Sequence, residues 1–127
     1  MIKEVINIKG APQAIGTYSQ GIRIGNFIFT SGQIPINPQT GNLKTDDIKA
    51  EIRQVLDNLK MVLEGGGSGL QSTVKLTVFI TDLGYFSEVN EVLNEYFPEK
   101  PPARSAVQVS ALPMGARIEI EAIGVVE

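Results

Sequence analysis

The hydrophobic pattern changes period once the chain passes residue 47, and that change limits the folds open to it. Ile48, Ile52, Val55, Leu56, Leu59, Val62 and Leu63 fall on one face at helical spacing. Asp46 is placed to cap this helix, and Gly65-Gly66-Gly67 to stop it. Before it, apolar residues alternate. Residues 2–8 (IKEVINI) form one expected strand. Residues 19–24 and 27–32 form two more around Gly25-Asn26, a pair suited to a two-residue hairpin turn. Residues 10–17 and 33–46, punctuated by proline and glycine, are expected as loops. Alternation returns over residues 72–81, where Val74, Leu76, Val78 and Ile80 oppose Lys75, Thr77, Phe79 and Thr81. A second helix over 84–97 carries Phe86, Val89, Leu93, Tyr96 and Phe97 as its stripe and Pro98 as its stop. Residues 104–110 and 116–126 follow as strands joined by ALPMG.

The order is β-β-β-α-β-α-β-β in a single domain, residues 1–127. Two amphipathic helices cover one face of a mixed sheet, which gives a two-layer α+β architecture. The other face stays bare. In the last strand Ala116, Ile118, Ile120 and Ala122 point to the helices, and Arg117, Glu119, Glu121, Ile123 and Val125 point away, as does Phe79. A bare face with this much apolar surface favours a homo-oligomer in which such faces pack together. A monomer with a few exposed apolar side chains satisfies the same pattern.

Missing residue types prune the chemistry. The chain has no His, no Cys and no Trp, so it has no Ser-His-Asp or Cys-His nucleophile, no disulfide framework and no zinc site of the usual kind. Neither Asp46-Asp47 nor Glu119/Glu121 shows a metal-liganding pattern. The net charge is −3 and the basic residues are scattered, which argues against a nucleic-acid partner. No apolar run is long enough to span a bilayer, and MIKEVINIKG lacks the apolar core of a secretory leader, so a cytoplasmic location is expected.

Several residues stand out against blander readings. Arg104 follows Pro101-Pro102 at a strand start; alternation sets it with Ala106 and Gln108 on the partner-facing side, leaving Val107 and Val109 for the core. Its guanidinium is suited to fork onto a carboxylate or phosphate, and equally to a surface salt bridge. Glu119, expected on the same face, is suited to hold a water or relay a proton, though alternation does not separate it from Glu121. Asn90 interrupts the second helix's stripe and either binds a ligand or holds a loop. Tyr18 and Ser31-Gly32 offer hydroxyls and a close backbone approach, or are ordinary loop residues. GGGSG at 65–69 is no phosphate loop, because it follows a helix and precedes a strand.

The stretches AIGTYSQG (14–21), TSGQIPINPQTG (30–41), TVFITDLGYFSEVNEVLNEYF (77–97) and PPARSAVQVSALPMGARIEIEAIGVV (101–126) resemble the Rid/YjgF family over nearly the whole chain. The resemblance implies a chorismate-mutase-like fold, a homotrimer with clefts between subunits, and hydrolysis of 2-aminoacrylate (2-iminopropanoate) and 2-iminobutanoate to 2-oxo acids and ammonia without a cofactor. It also implies that Arg104 grips the substrate carboxylate, that Glu119 positions or activates water, and that Tyr18, Ser31, Gly32 and Asn90 line the cleft. Many members have Cys two residues after the arginine and Pro before the tyrosine; Ala106 and Thr17 stand there in this chain, so no thiol takes part. A trimer that binds 2-oxo acids or regulates a partner without turnover, and an endoribonuclease, are the alternative readings.

Overall fold

Six strands and two helices form in the expected order, and the computed structural model describes all of residues 1–127. The strands are β1 (Glu4–Ile6), β2 (Gly21–Ile24), β3 (Phe27–Thr30), β4 (Thr73–Ile80), β5 (Ala103–Gln108) and β6 (Ile118–Val125). They make one sheet in the order β1-β2-β3-β6-β4-β5, in which only β4 and β5 run parallel. Helices α1 (Ile48–Gly65) and α2 (Phe86–Tyr96) lie on one face. The β2–β3 turn is the Gly25-Asn26 pair, with Gly25 at a φ of 57°, a left-handed conformation that glycine adopts without strain.

The core is the seam between helices and sheet. Ile52, Val55, Leu56, Leu59, Val62 and Leu63 of α1 and Val89, Val92 and Leu93 of α2 are buried against Ile28, Leu76, Val78, Ile80, Ile118 and Ile120. Three local expectations are corrected. Asp47, not Asp46, caps α1, its Oδ1 accepting from the Ala50 amide at 2.9 Å. Val74 is exposed, because the register slips between Thr73 and Lys75 and the bulge turns Val74 out of the core row. Phe86 leaves the α2 stripe for the surface, and Val92 takes its place in the core.

Polar side chains that the sequence pattern did not mark hold the loops. Asn58, fully buried on α1, donates from Nδ2 to the carbonyls of Ile34 (3.3 Å) and Ile36 (2.9 Å), fixing the long loop after β3. Gln20 is buried too; its Nε2 donates to the carbonyls of Ile8 (3.0 Å) and Pro12 (2.8 Å), and its Oε1 accepts from the Ile8 amide at 2.6 Å. Glu51, in the first turn of α1, is 2% exposed and receives Arg117 through Nε at 3.2 Å and through a second, closer contact from Nη2. Arg117 thus turns towards the helices, against the alternation that sent it to the bare face. It precedes β6, so the strand's parity does not bind it, and the buried carboxylate draws it inward.

The far face of the sheet has no covering layer. Val5, Phe27, Phe29 and Val107 are each more than two-fifths exposed there, and Ile123 and Val125 are half-buried beside them. No helix is long and apolar enough to cross a membrane.

Candidate functional site

Arg104 and Glu119 lie on opposite faces of the sheet. Arg104 pairs with Leu76 across the parallel β4–β5 ladder, Ala106 with Val78 and Gln108 with Ile80, so all three share the helix-covered face. Glu119 pairs with Phe79 on the bare face, as does Val107. The expected shared face for Arg104 and Glu119 is therefore overturned, as is the core position of Val107. Ladder register sets the parity of β5, whereas the expectation followed hydrophobicity and gave the valines to the core. The small Ala106 packs against the core instead.

Around Arg104 the first cluster is built by the β4-α2-β5 unit. Pro101 and Pro102 lead into edge strand β5, and the side chain crosses to α2. Nη1 donates to Asn90 Oδ1 at 2.6 Å, and the guanidinium carbon stands 5.1 Å from the centre of the Phe86 ring. Leu76, Leu93, Asn94 and Phe97 complete a pocket of about 410 Å³. Asn90, expected to touch a ligand, spends its carbonyl on orienting Arg104. No carboxylate pairs with this arginine, so its remaining N–H groups are open.

Tyr18, Ser31, Gly32 and Glu119 come together in a second cluster, a cleft of about 680 Å³ that also takes in Ile15, Ile36, Met114 and Glu121. Ser31 is fixed at the end of β3: its amide donates to the Gln20 carbonyl at 2.9 Å and its hydroxyl to the Ser19 carbonyl at 2.5 Å. The Tyr18 oxygen accepts from the Ile15 amide at 3.3 Å, which leaves its proton for a ligand. The Glu119 carboxylate lies on the Gly32 backbone: a Cβ built on Gly32 would meet Glu119 Oε2 at 2.0 Å. The Gly32 amide donates to no group of the chain. Gly32→Ala is expected to fold, since the clash is with the end of a flexible side chain, and to swing Glu119 out of place. The check is catalytic turnover beside thermal melting, with a loss in the first and little change in the second.

Burial, and then the charge of Glu121 on the same strand face, pushes the Glu119 carboxyl above its ordinary value. The folded chain then holds the proton more tightly than the unfolded chain does. Ionised Glu119 therefore costs stability above the raised value and costs nothing once both states are protonated. Glu119→Gln is expected to raise Tm at about pH 8 and to leave it unchanged at about pH 3, as read by calorimetry. No group of three or more acidic side chains converges to hold a metal ion.

Residues 8–126 match the family model described as endoribonuclease L-PSP. A RutC family protein of Pyrococcus abyssi is 52% identical over 97% of this chain and 97% of its own length. The Escherichia coli protein named "Putative reactive intermediate deaminase TdcF" is 44% identical, with 98% of each chain covered. The crystal structure of E. coli TdcF with bound serine superposes with a TM-score of 0.93, at 42% identity over 98% of this chain and 99% of that one. The E. coli YjgF gene product superposes with a TM-score of 0.92, at 46% identity over 96% and 98% of the two chains.

Proposed function

This chain belongs to the Rid/YjgF family, and from that membership we propose that it hydrolyses short 2-imino and enamino acids to 2-oxo acids and ammonia, with 2-iminobutanoate and 2-aminoacrylate (2-iminopropanoate) as substrates. The observation that carries the reading is the split of the site. An unneutralised guanidinium stands at an open sheet edge, and a desolvated carboxylate beside a free backbone amide stands on the bare face. One chain does not close this site. A homotrimer packed through the bare faces would bring Arg104 of one copy to the Tyr18–Glu119 cleft of the next, and the exposed Phe27, Phe29 and Val107 supply the apolar surface for such packing.

In this mechanism Arg104 forks onto the substrate carboxylate and sets the imine carbon beside a water held by Glu119. The imine reacts as its protonated iminium: the water oxygen adds to C2 as the C–N double bond opens onto nitrogen, and Glu119 takes a proton from the water, leaving a neutral 2-amino-2-hydroxy acid. Glu119 returns that proton to the nitrogen, the C2–N bond breaks to release ammonia, and the C2 hydroxyl gives its proton to Glu119 as it becomes the ketone of the 2-oxo acid; ammonia carries that proton away as ammonium. Gly32 N–H and the Tyr18 hydroxyl are donors placed to stabilise charge that develops on the way. An imine is already electrophilic, so positioning and one base are enough.

The test is to generate 2-iminobutanoate in situ with an amino-acid-oxidising enzyme and follow imine loss with and without protein. Acceleration is expected; no acceleration by fresh protein sinks the enzyme reading. A non-catalytic binder is the second reading, favoured by the relative that holds serine. Binding of 2-oxobutanoate without turnover of any short imine would select it. A ribonuclease is poorly served by this chain, which has no histidine to act as general acid or base and carries a net charge of −3.

A further inference from the structure

Phe86 is a large apolar residue on the wrong side of its helix. It opens α2, is 39% exposed, and packs in neither the core nor its fringe. What its ring meets is the Arg104 guanidinium, at 5.1 Å. The turn before it is anchored at both ends. Gln108, on the same strand as Arg104, accepts from the Leu83 amide through Oε1 at 2.9 Å, and Asp82 Oδ1 accepts from the Gly84 amide at 2.8 Å. Arg117, already locked to buried Glu51, donates to the Tyr85 hydroxyl at 3.1 Å and stands 5.2 Å from its ring. Adjacent aromatics thus face two guanidiniums. The Tyr85 contact fixes the turn to the buried ion pair, and the Phe86 contact passes that rigidity to an arginine on an open edge.

We infer that Phe86 is a positioning residue for Arg104: its ring supports one face of the guanidinium while Asn90 takes one N–H, so that the remaining N–H edge is held ready for a substrate carboxylate. An arginine side chain free in solvent has several rotamers to give up on binding; the ring and the amide hold this one beforehand. A ring quadrupole holds a cation without neutralising it, which a carboxylate partner would do. Leucine fills similar space with no quadrupole, and tyrosine keeps the ring.

This inference rests on the carboxylate-clamp reading, and the experiment separates the two. Wild type, Phe86→Leu, Phe86→Tyr and Arg104→Ala are compared in 2-iminobutanoate turnover, in calorimetric binding of 2-oxobutanoate, and in thermal melting. Phe86→Leu is expected to raise KM and the 2-oxobutanoate Kd about fivefold with kcat within about twofold of wild type, because the support acts equally in ground and transition states. Phe86→Tyr is expected to keep the wild-type KM. An unchanged KM in Phe86→Leu, with or without a fall in Tm, overturns the positioning role, as does a rise that Phe86→Tyr shares. If Arg104→Ala also leaves KM, kcat and 2-oxobutanoate binding intact, the clamp itself is refuted and the positioning role goes with it.

Discussion

Arg104→Ala is expected to lower kcat/KM for 2-iminobutanoate about a hundredfold, since losing one partner of a desolvated charged pair costs about 2–5 kcal/mol. The effect is this large because the site holds no second cation. The cleft residues that would complete it carry only Glu119 and Glu121 as charges, so nothing replaces the lost guanidinium. Folding is not the cause, because Arg104 is exposed and makes one hydrogen bond, to Asn90. The melting temperature should therefore stay close to that of wild type. Arg104→Lys keeps the charge and loses the planar fork, so it is expected to recover only part of the activity. Steady-state kinetics on the three proteins check this. Full activity in Arg104→Lys would remove the two-point grip from the account.

The largest stability effect is expected at Arg117. Glu51 is 2% exposed, and Arg117 donates both of the hydrogen bonds that reach its carboxylate. The pair holds Arg117 well above its ordinary range, chiefly through the hydrogen bonds to Glu51 and against the cost of burial. Arg117→Met strands the buried Glu51 carboxyl without a partner in the packed seam between α1 and the sheet. Breaking a buried pair in this way costs about 3–5 kcal/mol; about 3 is expected here, because solvent still reaches the outer part of the guanidinium. For a domain of this size that is a fall in Tm of about 10 °C. Glu51→Leu combined with Arg117→Met should recover most of it, since the penalty lies in the stranded carboxyl rather than in the missing pair. Calorimetry of the single and double variants decides. A double variant as unstable as the single one would place the cost in packing or in the Tyr85 contact instead.

The elements that sequence pattern located well are those whose two faces differ sharply. α1 was legible because seven apolar residues recur on one side, and β6 because Ile118, Ile120 and Ala122 alternate with Glu119 and Glu121. β5 was misread for the opposite reason. An edge strand that meets a helix on one face and a bare apolar surface on the other puts valine and arginine where hydrophobicity does not predict them. Its parity comes from pairing with β4, which is a non-local fact. The bulge at Val74 and the cap at Asp47 are shifts of one residue, below what periodicity resolves. The Arg117–Glu51 pair joins positions 66 residues apart and has no local signal. Of the candidate site residues, the grouping of Tyr18, Ser31, Gly32 and Glu119 agrees with the family resemblance. The separation of Arg104 from them, beside Asn90 on α2, emerged only from the ladder register. Phe86 was visible in the sequence, but as a member of the core stripe.

The central claim is that a working site takes Arg104 from one copy and Glu119 from another, and mixing two inactive proteins tests it most directly. Arg104→Ala and Glu119→Gln are denatured together and refolded, or co-expressed, so that subunits exchange. In a cyclic trimer every site that pairs a Glu119→Gln chain's arginine with an Arg104→Ala chain's glutamate is intact, so roughly a quarter of wild-type activity is predicted from an equal mixture. Activity no greater than the average of the two parents, from a mixture shown to have exchanged subunits, would contradict the claim.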